Sequence, residues 1–481
     1  MNKKHGDVVN SSTAVKIWNE GVKAAGAEQV VRDSIGLCEN SLSIAGETFD
    51  LGRLEKIIVV GFGKCSGAMA AGFESAVGQL QGIELSGLVI VPEGQAASTE
   101  RILTTVGRQR ASNFPTQTVV EQTQRMLDMI ADAGENTLIV ALVSGGGSAL
   151  LEAPLVPLDD LIAVSKALSS RGAPIESLNT VRRAISGVKA GGLARHVLEH
   201  SAARMVGLII SDVIGDSLAM VASGPTVISD ESVQQQRLAA RKVLLEFELQ
   251  DTHSSVFSWL EQEATSAKAT SAKATSTSLL DPSQRIRNRL IATNTTAVNA
   301  ARIHATDMGL ALCPADSVDV NRDVNIVAGA WAELAMKFVD GHQSQDRKAL
   351  TDQAVAIVAG GEPTVVLCDS PGQGGRNLQL TALVLQKLSQ RWGAHNVPVA
   401  FVSGGTDGED GSAPVAGASF DFELMQALLH SSSLQDELKN AILANDCDAF
   451  FTRHGNRLPP PRVSTNVCDL QVMLIGPRNE I

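Results

Sequence analysis

The chain has 481 residues, a net charge of −12 and six scattered cysteines, with 44% hydrophobic and 19% charged residues. Its length predicts two domains, or three, and its acidity, with no long Lys/Arg run, argues against nucleic acid or an anionic membrane as partner. The absence of a Cys-x-x-Cys pair and of an apolar run of ~20 residues argues against a zinc ribbon, a disulfide framework and a membrane span.

Met1 to Asp7 is charged and is followed by polar residues, so no secretory signal core is expected. The expected location is the cytoplasm, with the mitochondrion left open. Aliphatic runs then alternate with helical patterns. Ile57–Val60, Leu88–Val91, Leu138–Val143 and Leu208–Ile210 read as strands of the first half, and Ala354–Ala359 and Val399–Val402 as strands of the second. Continuous apolar runs of this kind suit a parallel sheet covered on both faces. Glu121–Ala133 and Leu158–Ser169 read as helices between them. Ala264–Ser278 repeats Ala-Thr-Ser-Ala-Lys and cannot bury a face, so it reads as a linker or insertion. Leu470–Ile475 alternates enough to be a final strand. The whole is an α/β pattern.

Glycine turns follow several of these strands, where open α/β sheets bind ligands. Gly61-Phe62-Gly63-Lys64-Cys65-Ser66-Gly67 joins the first strand to a helical stretch, so free helix amides and the Lys64 charge could meet an anion. A tight βα turn is an equal reading of that segment alone. Ser144-Gly145-Gly146-Gly147-Ser148 can form a nest of amides around phosphate. Arg182 and Lys189 stand near the Gly191-Gly192 turn, and Arg183 reads as a solvated helix position. Ser211-Asp212-Val213-Ile214-Gly215-Asp216 carries two carboxylates after a strand, candidates for Mg²⁺ or, for Asp216 equally, for a helix cap. Gly374-Gly375-Arg376-Asn377 precedes a helix, and Ser403 to Gly411 sets Asp407, Glu409 and Asp410 on a flexible backbone beside a strand. His196-Val197-Leu198-Glu199-His200 fits the inverted zinc-protease pattern, but a five-residue match is weak and coincidence is the better reading.

Taken in order, Gly61–Met69, Ser144–Leu151, Asn179–Ala194, Ser211–Thr226, Gly360–Val365, Gly372–Asn377, Ser403–Ala418, Asn445-Asp446 and Thr465-Asn466-Val467 resemble the glycerate kinases whose C-terminal half is the MOFRL domain. Ala111-Ser112-Asn113-Phe114-Pro115 resembles the animal branch. The chain departs from the family pattern at Ser112–Thr116, at Leu378-Gln379 and at Pro459-Pro460-Pro461.

The resemblance implies two different α/β domains, an N-terminal Rossmann-like parallel-sheet domain and a C-terminal MOFRL domain, with the active site in the interdomain cleft. The expected division is 1–260, a linker over 261–285, and 286–481. The resemblance also implies ATP, Mg²⁺ and D-glycerate, with 2-phospho-D-glycerate the favoured product. Carried over by motif, the catalytic residues are Lys64, Arg376 and Asp407. Lys64, Arg182, Lys189 and Arg376 are the expected substrate contacts. Gly63, Ser144, Gly145, Gly146, Gly147, Ser148, Asn294, Gly374 and Gly375 are the expected nucleotide contacts, and Asp212 and Asp410 the metal ligands. A homo-oligomer stays open. Two other readings stand beside this one. An NAD(P)H-dependent hydroxypyruvate reductase lacks the Gly-x-Gly-x-x-Gly fingerprint. A non-catalytic nucleotide-binding relative has no evident reason to keep Lys64, Arg376 and Asp407.

Overall fold

The computed structural model describes residues 8–110, 112–262, 281–340, 353–392 and 395–477. The repeated segment Ala264–Ser278 and Ala111 lie outside these residues. The chain forms two compact units, Ala27–Ile291 and a second made of Met1–Gly26 with Ala292–Ile481.

The unit Ala27–Ile291 starts with a small antiparallel sheet of β1 (Ile35–Cys38), β2 (Ser41–Ile44) and β3 (Glu47–Asp50). Its main sheet contains β4 (Lys56–Phe62), β5 (Glu84–Pro92), β6 (Ile102–Arg108), β7 (Thr137–Val143), β8 (Arg204–Ile210) and β9 (Ile286–Ala292). The order is β6-β5-β4-β7-β8-β9, and the pairings among β4 to β8 are parallel. Counted from β4 as first, this is the 3-2-1-4-5-6 order of doubly wound nucleotide-binding sheets. Every residue of β7 is buried, as its unbroken apolar run requires. Burying each of Ile139, Val140 and Leu142 contributes ~1.5–3 kcal/mol. One covering helix, Gln117–Ala131, is capped by Thr116 and buries Val119, Thr123, Met126, Leu127 and Ile130, a stripe at helical spacing.

The second unit has a six-stranded sheet of β10 (Ala311–Cys313), β11 (Val355–Gly361), β12 (Val399–Gly405), β13 (Gly417–Asp421), β14 (Arg457–Leu458) and β15 (Asp469–Ile475). Its order is β10-β11-β15-β12-β13-β14. Only β10 and β11 pair in parallel; β15 lies antiparallel between β11 and β12. Helices Val324–Asp340 and Arg376–Trp392 cover one face, around Trp331, Phe401 and Trp392. Helices Ser11–Ala24 and Asn294–Asp307 cover the other, where Trp18 is fully buried and donates its indole N–H to the Leu470 carbonyl at 3.1 Å.

Two expectations change. The aliphatic runs of the second half belong to a mixed sheet, because two-sided burial, not strand direction, is what demands an unbroken apolar run. The units also divide the chain elsewhere than at 260 and 286: the first helix packs on the C-terminal sheet, and β9 completes the first sheet. The final strand is present, but it sits at the centre of its sheet.

Candidate active site

In the unit Ala27–Ile291, the sheet order reverses between β4 and β7, so the crevice outside their carboxyl ends is the expected ligand position. Both glycine turns lie there and are bonded to each other. Ser144 N–H donates to the Phe62 carbonyl at 3.2 Å, Lys64 N–H to the Gly145 carbonyl at 2.9 Å, and Cys65 N–H to Ser144 Oγ at 3.2 Å. Gly63 has φ +134° and is pressed against Ser144. Helix Ser66–Val77 then begins with no side-chain cap from Cys65, leaving first-turn amides of the kind that attract anions.

Lys64 is half-buried, and its stem crosses Gly146: a Cβ there would lie 3.1 Å from Lys64 Cγ and 3.7 Å from Arg108 Nη2. Arg108 was missed in the sequence because it ends a strand outside any motif. It is 3% exposed, and its Nη1 donates to the carbonyls of Gln109 and Arg110. Ser148 Oγ lies 2.8 Å from Ser223 Oγ, within the left-handed run Ala222-Ser223-Gly224. Gly147 is needed there, since its Cβ would meet the Ala222 Cβ at 2.7 Å.

Lys189 does not present its charge to solvent. It is 2% exposed and donates to Glu152 Oε2 at 2.6 Å and to the Leu151 carbonyl at 3.0 Å. Burial lowers the Lys189 pKa against the opposing pull of Glu152. The expected substrate contact is thus a clamp on the end of the Ser144–Leu151 segment. Arg182 lies over the Phe114 ring, 5.7 Å from its centroid, and donates to Ser165 Oγ at 3.3 Å; burial lowers its pKa. Arg183, read as solvated, instead donates to the Ala219 carbonyl at 2.8 Å. Asp212 follows β8 in a half-buried position. His196 is engaged by the Leu127 carbonyl at 2.9 Å.

In the second unit, the glycine ends of β11 and β12 flank the first residue of β15, with Asp469 paired to both Gly361 and Gly405. Arg376, the first residue of its helix, donates from Nε to Asp469 Oδ2 at 2.6 Å and from Nη2 to Asp469 Oδ1 at 3.0 Å. Nη2 also donates to Glu362 Oε1 at 2.8 Å. Nη1 has no partner among the described residues, and the side chain is 34% exposed. Burial works against the Arg376 charge, but Asp469, Glu362 and Asp410 outweigh it and push its pKa above the usual arginine value. Burial raises the Glu362 pKa, which Asp469 and Asp407 reinforce and Arg376 opposes. Asp407 is half-buried, and its Oδ1 accepts the Glu409 N–H at 3.1 Å. A Cβ at Gly405 would lie 3.1 Å from Asp407 Oδ1 and 3.5 Å from Asp469 Oδ1, so both carboxylates border this glycine.

Two further expectations meet a structural use of the residue. Asp410 is 1% exposed and accepts the N–H groups of Asn377 at 2.9 Å and Leu378 at 2.7 Å, capping the helix that carries Arg376. With both oxygens engaged, it does not fit the role of a metal ligand, and no group of three or more His, Cys, Asp or Glu able to hold a metal occurs among the described residues. Asn294 donates to the carbonyls of Val467 at 2.8 Å and Asp469 at 2.9 Å, so its amide clamps the start of β15 and is not free for a nucleotide. Gly375 lies against Asp410 and Gly374 is tied to Ser412, whose N–H and hydroxyl both donate to the Gly374 carbonyl. Glu362 and Asp469 complete the Arg376 site; Glu362 lies inside the matched segment Gly360–Val365 but was given no role, and Asp469 lies just beyond Thr465–Val467.

The chain matches two family models, a domain of unknown function, DUF4147, over residues 13–261 and the MOFRL family over residues 355–469. It is 33% identical to a glycerate kinase of Danio rerio, with 97% of this chain and 98% of that protein covered. It is 30% identical to a glycerate kinase of Homo sapiens over 88% of this chain and 85% of that protein. A crystal structure of glycerate kinase from Thermotoga maritima superposes with a TM-score of 0.74 at 25% identity, covering 97% of this chain and 99% of that one.

Proposed function

Because this chain belongs to the glycerate kinase family built from DUF4147 and MOFRL domains, we propose that it transfers the γ-phosphoryl group of ATP to a hydroxyl of D-glycerate, releasing ADP and 2-phospho-D-glycerate. The observation that carries this reading is the pair of interlocked glycine turns at the β4/β7 reversal, with Lys64 crossing one of them. Amides, helix termini and a fixed cation are the means by which proteins hold phosphates.

Phosphoryl transfer depends on alignment and charge stabilisation. The glycerate hydroxyl oxygen forms a bond to the γ-phosphorus as the bridging P–O bond breaks, and ADP leaves with that electron pair. Asp407 takes the hydroxyl proton. Lys64 offsets charge on the phosphates, and Arg376 offers its open Nη1 edge to an anionic group of the substrates. Mg²⁺ would arrive with the nucleotide phosphates and add to their neutralisation, as it commonly binds through one or two carboxylates plus phosphate. Asp212, at the carboxyl end of β8, is the carboxylate we propose beside it. The cytoplasm is the proposed location; no helix among the described residues is long and apolar enough to cross a membrane.

ADP release that requires D-glycerate tests the activity, and phosphorus NMR of the product tests the position of the phosphate. Lys64→Ala and Arg376→Lys should each lose at least about tenfold in turnover. Arg376→Lys is the better arginine variant, because Arg376→Ala strands the buried Asp469 carboxylate. Asp407→Asn should lower kcat more than it changes KM. No turnover of D-glycerate by the wild type, across a panel of small hydroxy acids with ATP, would remove the proposal.

A further inference from the structure

The Arg376 guanidinium is held by two carboxylates in unequal ways. Asp469 is 1% exposed and contacts it twice, through Nε and Nη2. Its backbone is fixed as well, because it pairs with Gly361 and Gly405 and its carbonyl accepts the Asn294 amide at 2.9 Å. Asp469 therefore takes one whole edge of the arginine.

Glu362 makes a single contact to Nη2 at 2.8 Å, and its side chain is 36% exposed. It approaches the end of the guanidinium where Nη1 has no partner among the described residues. Arginine binds a free carboxylate best through two parallel nitrogens. The end-on pair, Nη1 with Nη2, is the edge Asp469 leaves available, and Glu362 already uses half of it. With one contact against two, and a side chain 36% exposed against one 1% exposed, Glu362 is the weaker-held of the two.

We propose that Asp469 is the positioning residue that fixes Arg376, and that Glu362 holds the place of the glycerate carboxylate and yields it when the substrate binds. This rests on the reading above, that Arg376 receives an anionic group of a substrate. It adds which group, and which protein carboxylate gives way.

Steady-state kinetics on the full chain with ATP and D-glycerate tests both halves. Glu362→Gln removes a competitor, so KM for D-glycerate should fall by at least about threefold while KM for ATP moves by less than about twofold. Asp469→Asn should lower kcat by about tenfold or more. That variant leaves a buried amide against a cation, so its fold is checked by circular dichroism, and chemical rescue supplies a second measurement. Guanidinium ion added to Arg376→Ala should restore part of the activity, and should restore none when Asp469→Asn is also present. A rise in the D-glycerate KM of Glu362→Gln, or a fall confined to ATP, overturns the placeholder role. Equal rescue with and without Asp469 overturns the positioning role. Full activity of Arg376→Lys instead marks failure of the underlying reading, because neither carboxylate then acts through that side chain.

Discussion

Ser144 occupies the space that any side chain on residue 63 would need: a Cβ at Gly63 would lie 2.2 Å from Ser144 Oγ and 2.5 Å from its carbonyl oxygen. The backbone there is also left-handed, with φ +134°. Gly63→Ala should therefore cost roughly 1–3 kcal/mol in backbone strain and about as much again in overpacking. Thermal denaturation should show a clear drop in Tm, and the same variant should lose nucleotide affinity, because the two turns can no longer interlock. A Tm within a degree of wild type would refute the contact.

The Lys189–Glu152 pair is buried on both sides, with each side chain 2% exposed. Removing one partner leaves an uncompensated charge, so Lys189→Met or Glu152→Leu should destabilise the protein by about 3–5 kcal/mol. Replacing both, as Lys189→Met with Glu152→Leu, should recover most of that loss. Denaturant midpoints for the four proteins form a double-mutant cycle, and additive effects would show that the two charges do not interact.

Burial pushes the Asp410 carboxyl up to about 7, against the Asn377 and Leu378 amides that favour its charge. An acid whose folded pKa lies above its unfolded value adds stability at low pH that fades as pH rises through the folded pKa. The stability margin of wild type over Asp410→Asn should therefore shrink between about pH 4 and about pH 7 and level off above. A margin that stays flat over this range would show that the capping amides hold the carboxylate ionised throughout.

Asn294 separates clamp from ligand. Asn294→Ala leaves the carbonyls of Val467 and Asp469 without its two N–H bonds, at a cost of ~1–3 kcal/mol. If the amide only holds the start of β15, the variant should melt earlier while KM for ATP is unchanged. A KM increase of about tenfold with an unaltered Tm would restore the nucleotide role expected from the sequence.

Sequence patterning revealed β4, β5, β7 and β8 because each carries an unbroken apolar run that only two-sided burial explains. It revealed the glycine turns because φ +134° at Gly63 and the close approach at Gly147 leave no alternative residue. It did not reveal the use made of the polar residues beside them. Lys189, Asp410 and Asn294 have the composition of ligand contacts, yet each spends its hydrogen bonds on the chain itself. Asp469 shows the converse. Its importance comes from strand pairing with Gly361 and Gly405, more than sixty residues away in the sequence, which no local pattern encodes. β1 to β3 were missed because four-residue strands of mixed exposure carry little periodic signal.

The central position of β15 bears on how the molecule is made. Its sheet brings together segments far apart in the sequence, Ser11–Ala24 on one face and Asp469–Ile475 in the middle. On the ribosome, the unit Ala27–Ile291 can close early, while the opening helix waits with Trp18 uncovered until the last seam is threaded in. A chain that stops short of residue 469 loses the two-point carboxylate contact of Arg376. Incomplete synthesis products should thus be both catalytically silent and marked for disposal by the apolar surface they cannot hide.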